Sequence, residues 1–200
     1  ENDTLIVYFN DNGGPTMPGT TMNGSSNAPF RGSKRTSLEG GIHVPFLMSW
    51  KGKLPAGTVY ERPVIQLDLL PTALAAAGVE AKPEWKLDGV DLMPYLTGAN
   101  ASAPHETLFW RMGGQAAVRK GDWKLVRYDS TLDEPGARSR AANVVVTPFR
   151  LYNLPADPGE SRDLSAQNPE KVKELLAAWE SWDAQLAKPL WGPGGGRASE

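Results

Sequence analysis

Apolar and polar positions follow two textures along the chain. Residues 4–9 (Thr-Leu-Ile-Val-Tyr-Phe) form a short apolar run of strand formers. That pattern suits a strand buried on both faces in a parallel or mixed sheet. A polar stretch dense in Gly, Asn, Ser, Thr and Pro occupies residues 10 to about 38; loops of that length are functional or disordered. Residues 44–50 read as a second buried strand, closed by Lys51-Gly52-Lys53. Residues 68–77 read as a helix that Asp68 can cap and Gly78 can end. Its Pro71 falls in the first turn, where a missing N–H costs nothing.

Beyond a Pro- and Gly-rich stretch at 79–104 the pattern changes. Residues 107–112 are strand-like. Residues 116–119 and 122–128 flank Lys120-Gly121, a two-residue hairpin signal. Residues 150–154 read as a fourth strand, after an excursion at 129–148. Asn168-Pro169 opens a helix on which Val172, Leu175, Leu176, Trp179, Trp182 and Leu186 make one apolar stripe. The predicted architecture is α/β: a layer of strands and helix in residues 1–104, then a small α+β unit in 105–188. That unit combines an antiparallel sheet with a C-terminal helix. Residues 189–200 are Gly-rich and predicted to be a flexible tail.

The 200 residues carry 21 basic and 23 acidic side chains, a balance without the basic footprint of a nucleic-acid binder. There is no cysteine, hence no disulfide, thiolate metal site or cysteine nucleophile. No run of about 18 apolar residues exists to span a membrane. The chain opens at Glu1, without methionine or a legible signal peptide, as expected of an internal start, a processed chain or an excised segment.

Three polar clusters offer chemistry. Asp11-Asn12-Gly13-Gly14 sits just past the first strand, where ligands bind in open α/β sheets. A carboxylate and an amide oxygen there suit calcium or magnesium, although the same tetrapeptide is an ordinary turn. Arg31-Gly32-Ser33-Lys34 can aim an ammonium at an anion, or be a solvated basic loop. His43, in Glu39-Gly40-Gly41-Ile42-His43-Val44-Pro45, can donate to an anion, or be a hydrogen-bonded structural residue.

Taken together, in this order and spacing, these clusters resemble the C-terminal signature of the type I sulfatases, in the alkaline-phosphatase-like superfamily. Asp68-Leu69-Leu70-Pro71-Thr72, Asp88-Gly89 through Leu96, Val118-Arg119 through Leu125, and Leu151-Tyr152-Asn153-Leu154 with Asp157, Pro158 and Glu160 extend the resemblance to about residue 185. It implies part of an alkaline-phosphatase-like mixed sheet layer. It also implies that Asp11 and Asn12 bind an active-site Ca2+, and that Lys34 contacts the sulfate ester catalytically. His43, where the family often has Arg, is a further candidate substrate contact.

The family nucleophile, a formylglycine made within C/S-x-P-x-R, has no counterpart here; Thr16-Met17-Pro18-Gly19-Thr20 lacks both the first residue and the Arg. The remaining metal ligands would also lie elsewhere. The expected partners are a sulfate-ester substrate and either a missing N-terminal half or a second copy of the chain in a homo-oligomeric dimer. The resemblance favours a periplasmic or secreted protein. Two other readings stand beside it. One is a related phosphodiesterase or phosphonate monoester hydrolase. The other is a stand-alone fragment with no catalysis, or with weak promiscuous hydrolysis.

Overall fold

A computed structural model describes residues 2–16, 23–133 and 145–188. In chain order its elements are β1 (Ile6–Phe9), α1 (Glu39–Ile42), β2 (Phe46–Ser49), α2 (Leu69–Ala76), α3 (Met93–Leu96), β3 (Thr107–Met112), β4 (Gln115–Lys120), β5 (Trp123–Arg127), β6 (Arg150–Asn153) and α4 (Pro169–Asp183), with short 3-10 turns between some of them. Two compact units result, each visited twice by the chain. One contains residues 2–9 and 45–106; the other contains 10–44 and 107–188. The last crossing between the units lies at residues 106–107, and residues 10–44 group with the second unit.

In the first unit β1 and β2 pair antiparallel, Ile6 opposite Ser49 and Phe9 opposite Phe46. The expectation of burial on both faces is not met: Ile6, Tyr8 and Leu47 are 60%, 57% and 63% exposed. Two strands of four residues cannot cover their own faces, so alternate positions point outward. Helix α2 ends as its sequence predicts. Gly78 adopts φ +69°, and the N–H groups of Gly78 and Val79 donate to Ala75 and Leu74, at 3.0 and 2.9 Å. This is a Schellman termination, which needs glycine at the left-handed position.

Asp68 does not cap the helix. Its buried carboxylate accepts the N–H groups of Ile65 and Val90, both at 2.9 Å, and lies 2.8 Å from His105 Nε2. A buried carboxylate needs several donors, and here three separate segments supply them.

The second unit is an antiparallel meander, β3-β4-β5-β6. Lys120 pairs with Trp123, so the hairpin loop is Gly121-Asp122, one residue later than predicted; Gly121 supplies φ +57°. Helix α4 lies on one face. Its Leu175 and Trp179 join Ala116, Val118, Leu125 and Leu151 in a buried core, with Val172, Leu176 and Trp182 alongside. Leu186, counted in the same stripe, lies past the helix end. Asn168 does not cap α4; its Nδ2 donates instead to the Leu164 carbonyl at 3.0 Å. On the opposite face Ala117, Val126, Tyr128 and Tyr152 surround Leu38. Residues 31–41 therefore cover the second face, and the sheet is a middle layer. Most of the 129–148 excursion and the predicted tail lie outside the described residues.

Candidate functional site

The loops bearing Asp11, Asn12 and Lys34 are joined by backbone bonds within the second unit. Gly13 N–H donates to Gly41 C=O at 2.9 Å, and Lys34 N–H donates to Gly14 C=O at 3.1 Å. Asn27 ties the same seam with both ends of its amide. Its Oδ1 accepts Gly14 N–H at 2.8 Å, and its Nδ2 donates to the carbonyls of Gly14 and Gly32, at 2.9 and 3.0 Å. Contact at the seam is too close for a side chain: a Cβ on Gly13 would stand 1.8 Å from Gly40 O, so only glycine fits. Asp11 and Lys34 are exposed at the surface of these loops, Asn12 is half-buried, and His43 follows the bonded Gly41 by two residues.

Beneath the surface lies a buried charge network that was not anticipated from the sequence. Lys124 Nζ sits 2.7 Å from Glu39 Oε1 and 2.9 Å from Glu160 Oε1. Glu160 Oε2 accepts the Glu39 N–H at 2.6 Å. His43 Nδ1 is 2.9 Å from Glu39 Oε2, and its ring stacks on Phe30 with centroids 4.2 Å apart.

Burial pushes the Glu39 carboxyl up, but Lys124 and His43 outweigh it and hold the group at about 2. Burial also pushes Glu160 up, and there Lys124 does not overcome it. As an ionised carboxylate, Glu39 can only accept hydrogen bonds. His43 Nδ1 must then carry the hydrogen, which fixes the ring and leaves Nε2 as its second functional nitrogen.

Arg31 does not belong to a solvated basic loop. Its Nη2 donates to Glu160 C=O at 2.7 Å and to the hydroxyls of Tyr128 and Tyr152, at 3.0 and 3.3 Å. Only Lys34 and Arg35 of that basic cluster are exposed. Among the described residues there is no group of three or more His, Cys, Asp or Glu side chains able to hold a metal. Asp11 and Asn12 are of the right donor type for calcium, but two donors are fewer than its six to eight.

Comparison with known proteins points to the sulfatases. The Sulfatase family model matches residues 1–79. Arylsulfatase A of Bos taurus is 35% identical over 88% of this chain, and steryl-sulfatase of Rattus norvegicus is 31% identical over 88%. The chain is similar to sulfatases over most of its length.

It spans only 36% and 34% of those two sulfatases. Among solved structures, that of Ps i-CgsB superposes with a TM-score of 0.75 at 28% identity, covering 96% of this chain and 39% of that one. The PsFucS1 sulfatase from Pseudoalteromonas sp. gives 0.69 at 25% identity, covering 90% and 36%. The fold class is accordingly as expected, part of the alkaline-phosphatase-like α/β fold of sulfatases with a small α+β unit. No helix among the described residues is long and apolar enough to cross a membrane.

Proposed function

We propose that this chain supplies part of the active site of an enzyme that hydrolyses sulfate esters. The observation that carries the reading is the backbone lock between the Asp11–Gly14 loop and the Lys34 loop. It presents two oxygen donors and one ammonium on adjoining loops, on a chain of sulfatase type. Asp11 and Asn12 would be two of the oxygen ligands of a calcium ion, with the others outside this chain. When bound, that ion supplies positive charge against the sulfate oxygens. Lys34 adds a second positive charge, and its donors stabilise negative charge that grows on the sulfate during bond cleavage. His43, its Nδ1 held by Glu39, offers Nε2 to the substrate.

The nucleophile is not among these 200 residues, so activity belongs to the whole protein. The test assays the full-length protein, matured by a formylglycine-generating enzyme, on an aryl sulfate beside an aryl phosphate diester. Preference for the sulfate is expected; preference for the diester would assign the chain to the related phosphodiesterases. A sulfated oligosaccharide belongs in the same assay, because Ps i-CgsB has been crystallised with a neocarrahexaose. The 200-residue chain alone should leave the aryl sulfate intact. Turnover by the pure chain, lost on replacing Asp11, would contradict this division of labour.

The partner proposed for the chain is the remainder of the sulfatase or, without it, a second copy. Ile6, Tyr8 and Leu47 expose one apolar face of the β1–β2 pair, and open strand edges favour pairing with another chain. A symmetric dimer is the simplest closed assembly. Light scattering on the 200-residue chain at micromolar concentration should give about twice the formula mass; a monodisperse monomer rules the dimer out. By family resemblance the proposed location is periplasmic or extracellular.

A further inference from the structure

Lys34 is useful only if the chain around it keeps one shape, and the backbone there is strained. Arg35 adopts φ +74°, a left-handed conformation that costs a non-glycine residue about 1 kcal/mol or more. Such a residue persists only where its surroundings over-determine it. Part of the restraint is internal to the loop. Ser33 C=O accepts the Thr36 N–H at 3.1 Å and the Thr36 hydroxyl at 2.9 Å.

A further restraint comes from Gln115, 80 residues away in sequence at the start of β4. Its side chain is buried, 4% exposed. Nε2 donates to Arg35 C=O at 2.8 Å. Oε1 accepts the N–H of Ser37 at 3.3 Å and, more distantly, that of Asp129 at 3.4 Å. The orientation of the amide follows from its partners. Turned over, it would set an NH2 group against two N–H donors and an oxygen against a carbonyl. One side chain thus bonds the backbone on both sides of Thr36 and locks the strained residue that follows Lys34. The turn lets Lys34 and Arg35 project outward while Ser33, Thr36, Ser37 and Leu38 stay buried.

We infer that Gln115 is a positioning residue for Lys34: it acts from β4, through the backbone of Arg35 and Ser37, to set where the ammonium stands. This rests on the reading of Lys34 as the sulfate contact, and it names a residue that resembles nothing catalytic in sequence. Gln115 touches no reacting atom. Its effect should therefore pass entirely through Lys34.

The experiment has two arms. In the full-length protein, Gln115→Met is combined with Lys34→Ala in a double-mutant cycle of aryl sulfate turnover. Gln115→Met alone should lower kcat by about tenfold, the scale of a modest misplacement of a catalytic group. In the Lys34→Ala background it should change nothing further. An equal loss in both backgrounds overturns the inference. In the second arm, amide hydrogen exchange is measured on the 200-residue chain. Gln115→Met should speed exchange at Lys34 and Ser37 while the β5 amides keep their protection. Unchanged exchange at those two amides overturns the inference whatever the turnover. Should Gln115→Met fail to fold, Gln115→Glu serves the turnover arm, since it keeps the acceptor for Ser37 and sets a carboxylate oxygen against Arg35 C=O in place of the donor. If the wild-type protein turns over no sulfate ester, the proposed function falls, and the exchange arm alone decides whether Gln115 shapes the loop.

Discussion

Replacing Lys34 by Ala in the mature full-length protein should reduce sulfate-ester turnover about a hundred- to a thousandfold, the loss expected for one preorganised donor to a developing anion. The side chain is exposed, and the loop's shape is held by backbone, Asn27, Thr36 and Gln115 bonds that alanine leaves in place. Thermal stability should therefore stay within about 0.5 kcal/mol of wild type. The fall should appear in kcat more than in KM, because charge on the sulfate oxygens grows toward the transition state. Kinetics on an aryl sulfate, run beside a thermal melt, provide the check. A rise in KM with kcat unchanged would make Lys34 a ground-state anchor instead.

The second large effect is on stability. Lys124→Met leaves Glu39 and Glu160 buried without the ammonium that lies 2.7 and 2.9 Å from them. Removing one partner from a buried ionic group costs about 3–5 kcal/mol, because the remaining charges are no longer compensated. Lys124→Met/Glu39→Gln/Glu160→Gln should recover much of that loss, since neutral groups need no counter-ion. Urea unfolding of the 200-residue chain, followed by the fluorescence of Trp110, Trp123, Trp179 and Trp182, measures both. A single-variant loss under about 1 kcal/mol would mean that the network behaves as a solvated surface pair.

The network also sets an acid limb. Glu39 is held at about 2 in the folded chain against an ordinary value of 4.5. A depressed carboxyl stabilises the fold above its unfolded value, and that contribution is lost as pH falls from 4.5 toward 2. Glu160 is raised and works in the opposite sense, so the limb should be partial. Glu39→Gln should remove it.

Much of the second unit was legible in the sequence, because residues 107–112 and the stripe on α4 carry clean periodicities. The 3.6-residue repeat of Val172, Leu175, Leu176, Trp179 and Trp182 corresponds to one packed face. Lys124 was not legible. It alternates with Leu125 on β5, and a lysine opposite an apolar face is ordinarily taken to face water. In fact both faces of the sheet are covered, and on the second face Lys124 meets Glu39 and Glu160, 85 and 36 residues away. No local pattern announces pairings over that range. Asp68 was misplaced for a similar reason. Standing before a helix, it satisfies a local capping rule, yet its donors come partly from Val90 and His105. The proposed site residues Asp11, Asn12 and Lys34 come from short glycine-bearing motifs and from the order in which those motifs occur.

The reach of Arg31 and Glu39 toward Glu160 has a consequence for how the protein is made. Glu39 and Glu160 are 121 residues apart, and a ribosome adds roughly 5–20 residues per second. The segment that carries Glu39 is therefore polymerised roughly 6 to 24 seconds before the glutamate that helps seat it. Through that interval Leu38 has no sheet to cover. A chaperone that shields residues 10–44 during synthesis would be guarding the loop proposed to contact the sulfate.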